Sequence, residues 1–253
     1  DGKLFDLAHS VITDSREGFS ITANDAATLV QQLGLGTIHK EKETFKANTD
    51  DSKSEILTLV IDPGHGGGDF GTGFGSIYEK ELSLKYSLEL KNFLAERFPK
   101  LRVILTRDRD FFVSLADRAR LANEQKADLF ISLHVNHAAD SGVEGVETYV
   151  LNPEATDDES KKLALLENES WMKTSALDGK AVEGSVKSIL VDMEQTHYIQ
   201  QSAQAAAFIQ QGLTKLGPEF GLRSRGVKQA MFFVLSKVAM PSTLIEMGFI
   251  SHT

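Results

Sequence analysis

Short β-branched runs alternate with helix-period segments along most of this chain, and that alternation limits its fold more than any other feature. Ile56-Leu-Thr-Leu-Val-Ile61 is an apolar run closed by Asp62-Pro63-Gly64, which reads as a buried strand. Lys80 to Phe98 carries Leu82, Tyr86, Leu90 and Leu94 at four-residue spacing, the period of a helix with one apolar stripe. Arg102 to Thr106 reads as a second strand, Asp128 to His134 as a third and Val143 to Leu151 as a fourth. Between them, Ser114-Leu-Ala-Asp117 has the form of a capping box opening a helix that runs to about Lys126. A long helical stretch lies between Ser185 and Leu216, broken near Gln195, and Met231 to Leu235 and Ser242 to Glu246 read as two further strands. Strands alternating with helices predict an α/β fold: a mostly parallel sheet flanked by helices.

Two stretches depart from this rhythm. Residues 1–55 are weakly patterned, with one short helix expected from Asn24 to Leu33 and then the charged run Lys40 to Glu55; they read as an N-terminal tail and linker before a domain spanning 56–253. Asn152 to Gly184 is too long for an ordinary connection and carries its own helical segment around Glu159 to Lys173, so 152–184 reads as an insertion.

Composition narrows the partners. A formal net charge of -9 leaves no basic surplus to neutralise phosphates, which argues against nucleic acid. No apolar run reaches the length of a membrane span. The opening Asp1, in place of Met, suggests a trimmed or processed amino terminus. With no cysteine in 253 residues, any transition metal must sit on histidine and carboxylate.

Such residues fall together in this reading. His65 follows the first strand, His134 ends the third and Glu246 ends the last, and sites in open α/β sheets gather outside the carboxyl ends of the strands. Glu79 stands between a glycine-rich loop and the first long helix, with Glu81 as a competitor for its role two positions on. Two imidazoles and one carboxylate leave a fourth position open, the pattern of a catalytic zinc that acidifies water. A second carboxylate such as Glu246 can take the water's proton and pass it to a leaving amine.

The string Asp62-Pro-Gly-His65-Gly-Gly67, followed by Glu79-Lys-Glu-Leu-Ser-Leu84, closely resembles the zinc-dependent N-acetylmuramoyl-L-alanine amidases, the third amidase family of bacterial cell walls. The resemblance continues through Thr106-Arg-Asp108, Leu115 with Arg118, Ala127 to His134, Arg225-Gly-Val-Lys-Gln-Ala230 and Ile245-Glu-Met-Gly-Phe-Ile-Ser251, covering almost everything from Ile56 onward except the insertion. It implies one zinc ion on His65, Glu79 and His134, with Glu246 as the catalytic carboxylate. It also implies hydrolysis of the amide between N-acetylmuramic acid and the L-alanine of the peptidoglycan stem peptide. Such chemistry takes place in the periplasm or outside the cell, where daughter cells separate.

Similar amidases of cell division carry an inserted helix that blocks the active site until a protein activator displaces it. Lys161-Lys-Leu-Ala-Leu-Leu-Glu-Asn168 resembles that helix, and the resemblance implies Glu167 as an inhibitory fourth ligand, although Glu159, Glu169 and Glu183 are equally acidic neighbours. Arg225 and Lys228 are candidates to contact an acidic stem peptide. Arg107, Arg118 and Ser132 read as supports around the site, and His137 as a surface histidine near the groove. Two other functions remain open to this sequence: a zinc peptidase or deacylase acting on another amide, and a non-catalytic wall-binding protein whose zinc site is closed.

Overall fold

A computed structural model describes residues 57–169, 193–220 and 223–252, with the side chains of the long C-terminal helix described from 198 to 215. The predicted tail 1–55, the remainder of the insertion beyond Glu169 with Trp171 and Glu183, and the start of the long helix at Ser185 lie outside the described residues. Strand β1 (Thr58–Pro63), a two-stranded hairpin of β2 (Gly73–Phe74) and β3 (Ile77–Tyr78), helix α1 (Glu79–Arg97) and strand β4 (Arg102–Leu105) come first. Then follow α2 (Leu115–Glu124), β5 (Leu129–Asn136), β6 (Val146–Leu151), α3 (Asp158–Glu167), α4 (Met193–Phe220), β7 (Ser224–Ala230), α5 (Phe233–Ser236) and β8 (Ser242–Phe249).

Six strands form one sheet in the order β4-β1-β5-β8-β6-β7. All neighbours run parallel except β6 and β8, which are antiparallel. Each face carries its own core. On one, Phe93 and Leu94 of α1 and Leu213 of α4 pack with Ile61, Ile131, Leu133 and Ile245. On the other, Ala119 and Ala122 of α2 and Leu163 and Ala164 of α3 pack with Val60, Phe130, Tyr149, Leu151 and Leu244. The expected mostly parallel sheet flanked by helices is the observed one. Ser114 caps α2 as its motif predicts, its Oγ accepting from the Asp117 amide at 3.1 Å.

The predicted strand Met231–Leu235 is a correction. Phe233–Ser236 forms the short helix α5 instead. Phe232, Phe233, Val234 and Leu235 are all buried, and a continuous apolar run does not distinguish a strand from a helical turn. The turn is favoured because the Phe233 amide, which has no partner within α5, donates to Asn168 Oδ1 at 2.8 Å. The strand that pairs with β6 is the polar Ser224–Ala230 just before it, kinked where the register slips opposite Val146 and Thr148. α4 is helical from Met193 through Gln195 to Phe220, and the part of the predicted stretch before Met193 lies outside the described residues.

Because strand side chains alternate, one face of the sheet shows Asp62 on β1, Ser132 and His134 on β5, Glu246 on β8, Glu147 on β6 and Lys228 on β7. His134 pairs in register with Glu246, and Glu246 with Glu147. A polar row thus crosses the sheet beneath α3, near the carboxyl ends of β1, β5 and β8.

Candidate metal centre and its carboxylate row

The first histidine is set by a strained turn. β1 ends at Pro63, and His65 adopts a positive φ of 59°, a conformation costly for a residue with a side chain. Two buried arginines hold the turn. Arg107 donates to the carbonyls of Pro63 and Gly64 at 3.0 and 2.8 Å, and Arg118 donates to those of Pro63 and His65 at 2.6 Å each. Arg118 also pairs with Asp62 at 2.7 Å, and Ser132 Oγ donates to the same carboxylate at 2.7 Å. Burial alone would raise the Asp62 pKa, but Arg118 and the hydroxyls of Thr106 and Ser132 hold it below the usual carboxylate value. Burial lowers Arg107 to about 10, helped by the charge of Arg118 beside it. These contacts give Arg107 and Arg118 the supporting role expected of them, while Ser132 bonds to the Asp62 side chain rather than to backbone groups.

Gly64 has no room for a side chain, since a Cβ there would lie 2.5 Å from the His134 ring. Gly71 has φ +65° and would press a Cβ to 2.5 Å from Glu79 Oε2. The glycine-rich loop therefore folds back tightly enough to bring α1's first residue against both histidines. Lys80 fastens it, its Nζ donating to Gly67 O and meeting Asp110, each at 2.8 Å.

Four side chains converge. Their donor atoms, from His65, Glu79, His134 and Glu167, lie within 4.8 Å of one another, an arrangement that could hold a metal ion. His65 Nε2 is 3.1 Å from Glu79 Oε2 and 3.1 Å from Glu167 Oε2. His134 Nδ1 is 2.9 Å from Glu79 Oε1 and 2.9 Å from Glu167 Oε2. Glu79 is further held by the amides of Thr72 and Val135 at 2.9 and 3.0 Å. Asp69 Oδ1 meets His65 Nδ1 at 3.0 Å, which orients the ring and leaves Nε2 facing inward. Glu81, the competitor for the Glu79 role, turns instead to the Tyr78 amide at the start of α1.

The donor set suits a divalent cation. His65 Nε2, Glu167 Oε2 and both oxygens of Glu246 are buried without a hydrogen-bond partner. Among the described residues, none of Glu79, Glu167 and Glu246 is paired to lysine or arginine. Buried carboxylates need a compensating charge, and hard oxygens combined with imidazoles fit zinc. Among the protein groups alone, that charge falls to the imidazoles. Burial would lower His65, but Glu79 and Glu167 raise it well above the usual range. The same balance, with Glu167 contributing most, lifts His134 to about 10. Glu79 is depressed, since its two histidines outweigh its burial.

Glu246 stands apart in character. It is fully buried, and burial raises its pKa well above the carboxylate range, with Glu79, Glu167 and Glu147 adding to the effect against His134. Glu147, which the sequence reading did not single out, accepts from Tyr149 Oη, pairs closely with Arg225 Nε and lies 3.5 Å from Lys228 Nζ. Its one sequence signal is a charged residue at an inward position of an otherwise apolar strand. Arg225 and Lys228 thus meet carboxylates of this chain: Glu147 on the sheet, and Glu159 and Asp157 on the insertion.

α3 covers the site. Leu163 is buried below it, Leu165 and Leu166 are exposed, and Asp157 caps it with a 2.7 Å bond from the Ser160 amide. Next to Glu167, buried Asn168 donates to Met231 O at 2.7 Å and accepts from Phe233 N at 2.8 Å. A groove of about 560 Å³ opens beside the four donors, lined by Phe70, Thr72, Phe112, His137, Leu166 and Glu167.

Sheet, row and donor cluster define a hydrolase-like α/β protein with a candidate metal site at the strand ends. A family model described as N-acetylmuramoyl-L-alanine amidase matches residues 59–253, and the chain belongs to that family. It is 32% identical over 230 residues to N-acetylmuramoyl-L-alanine amidase AmiA of Escherichia coli K12, covering 87% of this chain and 76% of that protein. To N-acetylmuramoyl-L-alanine amidase AmiC of Escherichia coli O6:H1 it is 30% identical over 229 residues, covering 88% of this chain and 54% of the other, so it spans about half that relative's length. The crystal structure of an N-acetylmuramoyl-L-alanine amidase from Clostridium difficile 630 superposes with a TM-score of 0.52 at 28% identity, covering 79% and 83% of the two chains. No helix among the described residues is long and apolar enough to cross a membrane.

Proposed function

We propose that this chain hydrolyses the amide between N-acetylmuramic acid and the L-alanine of the peptidoglycan stem peptide, with one zinc ion held by His65, Glu79 and His134. The convergence of these donors beside Glu246, within a chain of the amidase family, carries the reading. When bound, zinc supplies Lewis acidity, acidifying a water and polarising the substrate carbonyl. Glu246 is the general base: its oxygens have no other partner, and a raised pKa suits a group that accepts a proton and returns it to the leaving nitrogen. Asp69 orients His65, while the Thr72 and Val135 amides orient Glu79.

Glu167 is the inhibitory fourth ligand. Its Oε2 stands against both imidazoles, where a substrate oxygen would have to enter. The resting protein is therefore autoinhibited, and a protein activator displaces α3, whose exposed Leu165 and Leu166 offer it a grip. Residues 56–253 form the catalytic domain, 152–184 its regulatory insertion and 1–55 a tail. The site of action is the periplasm or the cell exterior, during daughter-cell separation.

The test is release of free stem peptides from labelled peptidoglycan by the intact chain, by Glu167→Gln and by a chain lacking 152–184, each with and without a zinc chelator. The expected result is a slow intact chain, faster variants and silence under chelation. Equal rates in all three proteins would discard autoinhibition and keep the enzyme. Silence in all of them, with zinc bound and the fold intact, would favour a wall-binding protein with a closed site. Cleavage at another amide would replace the substrate.

A further inference from the structure

Arg225 and Lys228 sit at the far end of the polar row, and each is shared between the sheet and the insertion. Arg225 joins Glu147 to Glu159, its Nη2 3.0 Å from Glu159 Oε2. Lys228 Nζ lies 3.5 Å from Glu147 Oε2 and 3.3 Å from Asp157 Oδ2. Among the described residues of the sheet, the two cations pair with one carboxylate, that of Glu147, and their further carboxylate partners, Asp157 and Glu159, lie on the insertion. Lys228 is 8% exposed, and a lysine so enclosed needs an anionic partner.

We propose that Asp157 and Glu159 stand in for the carboxylates of the stem peptide, so that the two cations fastening the insertion receive the substrate once the insertion lifts. This rests on the amidase reading and adds to it a specificity for acidic peptide and a direct competition between substrate and lock. The spacing fits. β7 lies two strands from β8, on the order of 10 Å from Glu246 at about 4.8 Å per strand. An extended peptide advances about 3.3–3.6 Å per residue, so a carboxylate on the second or third stem residue spans that distance from the scissile amide. The exchange is electrostatically neutral, one carboxylate for another.

The experiment compares two synthetic stem tripeptides, one with free side-chain and α-carboxylates and a twin with these amidated, titrated calorimetrically into the full chain. The proteins are the unaltered chain, Asp157→Asn with Glu159→Gln, and that pair combined with Lys228→Gln. Asparagine caps helices as well as aspartate does, so the pair removes charge while leaving α3 its cap. The pair should bind the acidic peptide about fivefold tighter than the unaltered chain does, the size expected for releasing partly exposed ion pairs, and should bind the amidated twin no better. Lys228→Gln should erase the gain, and Arg225→Gln serves if that variant does not fold. An equal gain for both peptides, or none for the acidic one, overturns the mimicry. Peptide release from labelled peptidoglycan is measured alongside. Release without the acidic preference would sink the mimicry alone, whereas the preference without release would sink the amidase reading and leave an acidic-peptide site.

Discussion

Glu147 and Glu246 face each other in register across the antiparallel ladder between β6 and β8, both buried, yet among the described residues only Glu147 of the two is ion-paired to lysine or arginine. Directly opposed residues in such a ladder stand about 4.5–5.5 Å apart, so each carboxylate feels the other. Arg225, Lys228 and the Tyr149 hydroxyl all contact Glu147, while among the described residues Glu246 has no hydrogen-bond partner. Glu147 is thus tied into ion pairs, and Glu246 is left for the proton-carrying role proposed above.

Substituting Glu246→Gln separates those roles from zinc binding. Hydrolysis should fall by about 10²–10⁴-fold, the usual contribution of a general base, while zinc content and melting temperature stay near those of the parent. Turnover of a released-insertion form and metal analysis of the same sample check this. Retained turnover would remove Glu246 from the proton path.

In the proposed autoinhibited state, Asn168 is the mechanical end of the lock. Its side chain joins the residue after Glu167 to Met231 and to the first turn of α5, and Asn168→Ala leaves both partners unpaired when α3 is seated. A cost of about 1–3 kcal/mol to the seated form corresponds to roughly a five- to hundredfold larger population with α3 displaced. Basal peptide release should rise accordingly, and Glu167→Gln added to it should give little more. Hydrogen exchange of 158–167 provides a measurement independent of catalysis.

Acid should act in part through Asp62. Its folded pKa is depressed, so its contribution is present above the unfolded value of about 3.9 and is lost as pH falls through the lower folded value. Urea midpoints should therefore hold steady as far as this group is concerned down to about pH 4–5 and decline below it. Asp62→Asn should remove that part of the decline and cost about 3–5 kcal/mol at neutral pH, because Arg118 is left charged and buried beneath the His65 turn. An unchanged acid slope in the variant would show that the Asp62–Arg118 pair is not what the acid limb reports.

Much of the site was legible before any fold was known. His65, His134 and Glu246 stood at strand ends, and Glu79 stood where a glycine loop meets a helix, so local pattern was enough to bring them to one edge. The sheet face of Glu147 was legible by alternation, but its neighbour was not. A two-residue period tells which face a side chain takes and says nothing about which strand lies beside it. The strand 224–230 escaped notice because its polar composition has little β preference of its own and acquires strand form through pairing with β6. Met231–Leu235 misled in the opposite sense, being apolar throughout yet leading into a helical turn whose first amide, on Phe233, donates to Asn168 Oδ1.

By itself, the sequence determined the α/β layer architecture and which histidines and carboxylates were candidates to hold a metal, because each is written in local periodicity, turn chemistry and the lack of cysteine. Glu167 was named among several acidic neighbours only through resemblance, and it is the tertiary structure that sets it against the two imidazoles and has Arg225 and Lys228 held by Glu147, Asp157 and Glu159. Those choices depend on strand order and on where α3 comes to rest. Both are set by burying Tyr149, Leu163, Ala164 and Leu244 in one core, a global packing condition that short-range spacing does not encode.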